Sequence, residues 1–457
     1  MGSRDPSSFR DPSGHIFIEG GVVRRQINPS YYPQFDTLIS SGLYASLSNA
    51  NLLVKHKVVD DTADRKIIEP YQLPFISYPY EWSFSQIKDA ALLTLRIHLD
   101  ALNYGMVLKD ATAFNVQFVK GRPIFIDTLS FDLYQDNEPW VAYGQFCRHF
   151  LAPLLLMKYV AADLNKLQAL YLDGVPLEYA SAMLPFKTHF SPQIKTNIHM
   201  HAKALQKHIE DFTSTRKPRL AITTHKNIIN SMIGFISGLE FKGQSEWGAY
   251  YKITNYEDSA FNFKEQIVSE WIKNCGAKKL WDIGGNDGHF SRLVQESCDL
   301  IICTDIDPVA VDTNYRECQQ RNEEKIVPLI IDYTNPPSGL GFANVERKDF
   351  LTRMKQLKPD CILALALIHH LSISNNCSFE MLAESFRQFA DNLIIEFVHP
   401  TDSWAAKLLN SKRQARHLFD FYNKENFEAT FCRFYEIVES TPVPGSERTL
   451  YLMRSRA

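Results

Sequence analysis

The sequence predicts an α/β protein, with an open, mainly parallel sheet over residues 245–457 preceded by an α+β region. Three observations carry this. From 279 onward, short unbroken β-branched runs recur between helical patterns, and each run ends in an acid or a histidine. The first of these runs passes straight into a glycine-rich turn and a helix start, the unit at whose carboxyl end such sheets hold ligands. Residues 15–70 instead show short alternating runs around turn signals, which is the pattern of antiparallel hairpins.

The glycine turn organises the rest. Residues 278–291 read Lys-Lys-Leu-Trp-Asp-Ile-Gly-Gly-Asn-Asp-Gly-His-Phe-Ser. Gly284, Gly285 and Gly288 can take positive φ or let backbone approach a ligand closely. A dinucleotide site would show G-x-G-x-x-G with an acid roughly 20 residues on for the ribose. Here Asp282 precedes the glycines instead. Asp282 and Asp287 together would repel a pyrophosphate and suit a cationic sulfonium with an amino-acid tail.

Four more strands follow. Leu300–Asp305 ends in an acid able to accept two ribose hydroxyls, with Ile306 and Asp307 before Pro308 at a helix start; capping that helix is the plainer role for such an acid. The third strand, from Ile326, ends at Asp332, the fourth, from Cys361, runs into His369 and His370, and the fifth, from Leu393, carries Glu396. A final antiparallel pair is expected over 434–440 and 448–454, around a Pro-Gly turn.

These parts resemble class I S-adenosylmethionine-dependent methyltransferases over roughly 245–457, in that family's order. Asn286 stands where many members have a middle glycine, and Asn tolerates the left-handed region. Residues 363–371 and 394–398 look most like a bacterial branch that includes nodulation-related methyltransferases. The resemblance implies a Rossmann-like seven-stranded sheet and S-adenosyl-L-methionine as cofactor, held by Asp282, Gly284, Gly285, Asn286, Gly288, Asp305, Ile306 and Asp332. Methyl transfer is an in-line displacement, so the protein positions the nucleophile and removes its proton. His369 or His370 as general base would suit a hydroxyl, and the pair could equally be helix-start residues beside the adenine. Glu396 is a second base or substrate-binding candidate; His289, behind the glycine loop, is a weaker one. The N-P-P-Y or D-P-P-Y element suited to exocyclic base nitrogens is absent.

The region ahead reads in order as a polar tail over 1–14, a hairpin about Gly20-Gly21, loop and short helix over 29–50, strands at 52–59 and 66–69, and a Pro-interrupted connector. A long helix follows from Ser85 to Asn103, with Ile87, Ala91, Leu92, Leu95, Leu99 and Leu102 on one face. Asp110 and Asn115 then have D-x-x-x-x-N spacing, and a hairpin delivers Asp127. This set resembles the catalytic core of the protein-kinase-like fold over roughly 15–215, and it implies a candidate nucleotide and metal site for magnesium-ATP at Asp110, Asn115 and Asp127. It departs from the pattern at Leu108, at Thr128-Leu129 after Asp127, and in the weak Gly20-Gly21 turn. Lys55 or Lys57 would be the phosphate-pairing lysine, or the solvent face of a strand. Chance turn residues, an inactive kinase-like scaffold and a working phosphotransferase all fit these residues.

Further on, 140–157 reads as a core helix broken at Pro153, and 216–244 as linker helices. His199, His201, His208 and His225 show no ligand spacing and read as solvated. Trp247, Tyr250 and Tyr251 lead into a helix over 264–274, packing on the sheet or closing over the cofactor. The basic stretch 404–422 reads as a solvated helix face or a lining of the acceptor site.

Composition bounds the function. A net charge of -3 without a basic block gives no reason to expect nucleic acid as partner. Eight scattered cysteines without a CxxC pair read as reduced thiols, and no metal site is certain. No apolar run reaches the length of a membrane span, and a cytoplasmic protein is expected. The expected function is O-methylation of a glycan or small-molecule hydroxyl beside a kinase-like scaffold, a protein acceptor being a third substrate class. The alternatives are a bifunctional kinase and methyltransferase acting on one acceptor, and a non-catalytic binding module.

Overall fold

A computed structural model of the chain describes residues 3–62, 65–210, 219–241, 243 and 258–456. The chain folds as two compact units, one of 1–243 with 338–348, the other of 244–337 with 349–457.

The first unit opens with an antiparallel sheet of strands β1 (Ser3–Arg4), β2 (Gly14–Glu19), β3 (Val22–Ile27), β4 (His56–Asp61) and β5 (Lys66–Pro70), in the order β1-β2-β3-β5-β4. Gly20 and Gly21 both take positive φ (59° and 80°) between the paired Glu19 and Val22, as a two-residue type I′ turn requires. Of the tail expected over 1–14, Ser3–Arg4 and Gly14 belong to this sheet. Ser3 and Arg4 pair with Ile18 and Phe17, and Arg10 Nε lies 2.6 Å from the buried Glu346 carboxylate. Two helices, Tyr32–Ser40 and Leu43–Asn49, join β3 to β4. Leu52 and Val54 are not in β4 as expected, because their backbone bonds go to Phe125.

The Phe84–Asn103 helix leads to two small antiparallel pairs, β6 (Met106–Leu108) with β9 (Phe131–Leu133) and β7 (Val116–Val119) with β8 (Arg122–Phe125). Ser83 caps the helix through Gln86 N, and the Gln86 side chain returns to Ser83 N. Pro153 does not break the next helix. A π-helical turn at Cys147–Leu151 runs without a break into Ala152–Tyr159, and that widened turn lets the continuous helix accommodate Pro153, which has no N–H to donate.

The Ile222–Ser237 helix, expected in a linker, packs on the Phe84–Asn103 helix within this unit, and Lys88 Nζ donates to the carbonyls of Ser237 and Leu239. His225 and His199 are therefore not solvated: each is 2% exposed. Leu108 N donates to His98 Nδ1 at 3.2 Å, which puts the His98 proton on Nε2, facing His225 Nε2 at 3.0 Å. His201 is half-buried against Tyr143, and the side chain of His208 lies outside the described residues.

The second unit is a seven-stranded sheet of β10 (Lys279–Ile283), β11 (Leu300–Asp305), β12 (Ile326–Ile330), β13 (Cys361–Ala364), β14 (Asn392–Val398), β15 (Tyr435–Pro442) and β16 (Arg448–Ser455). Their order is β12-β11-β10-β13-β14-β16-β15, parallel except for β16, which runs antiparallel to β14 and β15. Strand order reverses between β10 and β13, the crevice where open parallel sheets bind ligands. Helices Asp258–Asn274, His289–Val294, Pro308–Arg321, Phe350–Leu357 and Phe379–Arg387 flank the sheet sequence, and β10 to β14 are buried almost throughout. Trp247, Tyr250 and Tyr251 lie outside the described residues.

Burial lowers the pKa of both His98 and His225, with the neighbouring imidazole adding to the effect on His98. Since the unfolded value of about 6.5 is higher, the pair supports the fold fully above that pH and loses its contribution as pH falls below it. Urea unfolding of the first unit is expected to weaken between pH 7 and pH 5 by about 1 kcal/mol or more, with a shallower dependence in His225→Leu.

Candidate active site

The glycine turn is held by its neighbour strand. Gly284 N and Gly285 N both donate to the Thr304 carbonyl, at 2.8 and 3.0 Å. Gly284 and Gly288 have φ of 75° and 82°, and Asn286 has φ of 50°, so the Asn at the middle position does occupy the left-handed region. Gly285 is required for a different reason: a Cβ there would lie 2.5 Å from Cys303 Sγ and 2.8 Å from Asp282 Oδ2. At Gly288 a Cβ would lie 2.4 Å from Asn314 Oδ1.

Two acids frame this turn. Asp282, 2% exposed, accepts the Ser291 hydroxyl at 2.7 Å, and burial pushes its carboxyl up to about 6. Asp305 accepts Asn286 N at 2.9 Å and Asp307 N at 2.8 Å, yet burial pushes it up to about 6 as well. Asp282 is buried and Asp305 half-buried, the charge of Asp305 adds to the rise of Asp282, and a ligand bearing positive charge or hydroxyl donors would relieve both. Asp307, rather than Asp305, caps the Pro308–Arg321 helix. Asp332 sits at the end of β12 and accepts the amide and hydroxyl of Thr334.

A cleft of ≈ 240 Å³ opens over these groups. Of the residues expected to hold a cofactor, Asp282, Gly284, Gly285, Asn286, Asp305, Ile306 and Asp332 line it, and Gly288 lies behind them. His370 also lines it, whereas His369 and Glu396 do not. His369 is 1% exposed. Burial lowers His370 to about 4, with the Arg448 guanidinium adding to the effect, so its ring is neutral near pH 7 and can accept a hydrogen bond. His289 is tied to Glu265 at 2.6 Å.

Glu396 has another task. It is fully buried and accepts Lys264 Nζ at 2.6 Å and Ala366 N at 2.7 Å, with Arg448 3.5 Å away. Its carboxylate is thus committed as a counter-ion, not placed to take a substrate proton. Sequence reading missed Lys264, Phe261, Tyr333, Leu367 and Asn375 as lining residues. Only Lys264 had a legible signal, as a lysine on the helix that leads into the glycine strand, directly after Phe263 and three residues after Phe261.

The second polar cluster lies in the first unit. Arg25 on β3 donates to Asp127 and, at 3.3 Å, to Asp11. Asp127 also accepts Leu129 N and the Ser130 hydroxyl, and burial raises its carboxyl while Arg25 and these donors outweigh that, leaving it lowered. Asn115 Nδ2 is used on Ser130, and Asp110 accepts Thr112 N and Gln145 Nε2. Lys109 Nζ donates to Ser13 and lies over the Tyr31 ring. Asn115 reaches Asp127 through the Ser130 hydroxyl, and Asp110 is raised by burial and then by the charge of Asp127. Among the described residues Arg25 is the cation paired with Asp127, while Lys55 and Lys57 are both exposed.

The seven-stranded sheet, the glycine turn at the end of β10 and the acids at the ends of β11 and β12 match what the resemblance noted in the sequence led us to expect of the second unit. No family model matches the chain. The chain belongs to the family of the nodulation protein NoeA: it is 32% identical to that protein of Rhizobium meliloti (strain 1021) over 462 residues, 98% of this chain and 95% of the relative. Among solved structures, the N-methyltransferase NodS of Bradyrhizobium japonicum WM9 is 12% identical, with a TM-score of 0.31, across 44% of this chain and 99% of its own. Magnesium protoporphyrin IX methyltransferase of Synechocystis PCC 6803 is 16% identical, with a TM-score of 0.31, across 47% and 90%.

Lys264→Met would take the close ammonium from the buried Glu396, leaving the Ala366 amide and the longer contact to Arg448 in place. Unfolding of the second unit should then need about 3 kcal/mol less free energy, measured by denaturant titration, whereas a Lys264→Met/Glu396→Gln double variant should recover part of the loss.

Proposed function

We propose that the second unit transfers a methyl group from S-adenosyl-L-methionine to an oxygen of a glycan or small molecule. The observation that carries this is the arrangement of under-compensated Asp282 and Asp305 around a glycine turn, with the neutral His370 across the same cleft. When bound, the cofactor supplies an electrophilic methyl on a sulfonium. Asp282 and Asn286 suit its amino-acid tail, Asp305 its ribose hydroxyls and Asp332 its adenine side. Lys264, which lines the cleft with its ammonium over the Phe290 ring, pairs with Glu396 and so keeps a fourth carboxylate, behind the cleft, from adding to the charge of Asp282, Asp305 and Asp332. His370 accepts the hydrogen of the acceptor hydroxyl as the new carbon–oxygen bond forms, and the proton leaves through its ring. The absence of an N-P-P-Y or D-P-P-Y element agrees with an oxygen acceptor.

The first unit is, in this reading, a kinase-like scaffold that holds no magnesium nucleotide. Its supporting observation is Arg25: a guanidinium already bonded to Asp127 and Asp11 occupies the neighbourhood where a divalent cation would need those carboxylates. Admitting a metal would require breaking a part-buried ion pair and freeing Asn115 from Ser130.

Two measurements test the two halves. Calorimetric titration of S-adenosylhomocysteine should show saturable binding that Asp305→Asn weakens at least about tenfold. Ligand binding favours the ionised acids, so affinity should be constant well above pH 6 and fall through it, by about tenfold at pH 5 for each acid engaged. Lack of binding at pH 7.5 would remove the methyltransferase reading. Magnesium-ATP should give neither heat nor a change in melting temperature with the wild-type chain, and micromolar binding that Asp127→Asn abolishes would instead favour a bifunctional enzyme.

A further inference from the structure

The cleft carries its charge unevenly. One half holds Asp282, Asp305 and Asp332; the other, formed by Leu367, His370, Leu371, Ser374 and Asn375, contributes no carboxylate among the described residues. Behind that second half lies Arg448, 5% exposed, whose positive potential reaches both His369 and His370.

A basic segment adjoins the same half. Residues 403–419 contain Lys407, Lys412, Arg413 and Arg416 and no acid. The Ser403–Ser411 helix packs against His370–Ser374, and Lys412 Nζ lies 3.5 Å from the carbonyl oxygen of Ser374, itself a residue of the cleft wall. Arg413 and Arg416 are exposed on the next turn, and among the described residues neither they nor Lys412 make an ion pair. Arg413 has φ of 48°, a conformation that costs an ordinary residue about 1 kcal/mol and reverses the chain directly after Lys412. Asp402, the nearest acid before the segment, is already bonded to Arg448 and to Trp404 N. Lys412, Arg413 and Arg416 are therefore gathered at the edge of the acceptor half without an ion pair among the described residues, the next acid along the chain being the exposed Asp420. An ammonium acceptor would meet repulsion here and no carboxylate to receive it, whereas an oxyanion would be attracted.

We propose that the methyl acceptor carries an anionic group, a phosphate, sulfate or carboxylate, which Lys412, Arg413 and Arg416 hold beside the hydroxyl presented to His370. This rests on the methyltransferase reading of the cleft and narrows its substrate to anionic hydroxyl compounds. The three residues lie outside the core, so their exchange should leave folding and the cofactor half untouched.

The test uses the full chain saturated with S-adenosylhomocysteine, and a Lys412→Gln/Arg413→Gln/Arg416→Gln variant treated alike. Binding is read by calorimetric titration, which needs no local reporter. Glucose phosphate, glucose sulfate and glucuronate are titrated against glucose. At least one anionic sugar should give a saturable response with glucose silent, the variant should need at least about tenfold more of it, and the variant's affinity for S-adenosylhomocysteine should match the wild type. The three arms separate phosphate, sulfate and carboxylate as the group recognised. An equal response to glucose, a response the variant retains, or silence from all three anions in protein that binds S-adenosylhomocysteine overturns the inference. Failure to bind S-adenosylhomocysteine at all would instead overturn the methyltransferase reading beneath it.

Discussion

The contact between Lys264 and Glu396 is the constraint on which the second unit depends. A carboxylate with no exposed surface cannot stay charged without a partner, so the helix bearing Lys264 must sit where its ammonium reaches β14. The same carboxylate takes the amide of Ala366, which holds the end of the fourth strand, and faces Arg448 of β16, which in turn binds Asp402 at the head of the next helix. Helix, two parallel strands, the antiparallel strand and the basic segment are thereby registered through one buried charge. The cleft walls inherit their positions from it.

Asp127 of the first unit and the cleft acids of the second meet burial differently, and the difference bears on what each can do. In the first, Asp127 has a guanidinium, an amide and a hydroxyl directed at it, and its carboxyl is held below the ordinary range despite burial. A fully provided acid has little to gain from a ligand. In the second, Asp282 and Asp305 have hydrogen bonds but no cation close enough to offset burial, and both are pushed up to about 6. Asp110 in the first unit is raised too, by its burial and then by the charge of Asp127, so the contrast holds between Asp127 and the cleft acids and not for every acid of the two units.

Much of the second unit was legible in sequence because its signals are local. A parallel strand buried on both faces must be an apolar run, a turn at positive φ must be glycine or asparagine, and an acid at a strand end falls at the sheet's carboxyl edge. Asp282, Asn286, Asp305 and Asp332 follow from those rules alone, and all four line the cleft. The hairpin at Gly20-Gly21 is local in the same sense.

What the sequence could not decide is which side chains spend their chemistry on one another. Glu396 looks like a base until Lys264, far away in the chain, is placed against it; His369 and His370 look interchangeable until one is buried and the other is left on the cleft wall. Arg25 is an unremarked residue of a β-strand until folding brings it to Asp127, and His225 looks solvated until a second helix covers it. The reason is physical. Periodicity and turn chemistry act over a few residues and are written in order along the chain, whereas burial and charge pairing depend on which distant segments meet in space, and these alone determine whether an ionisable group is free to act or is already satisfied.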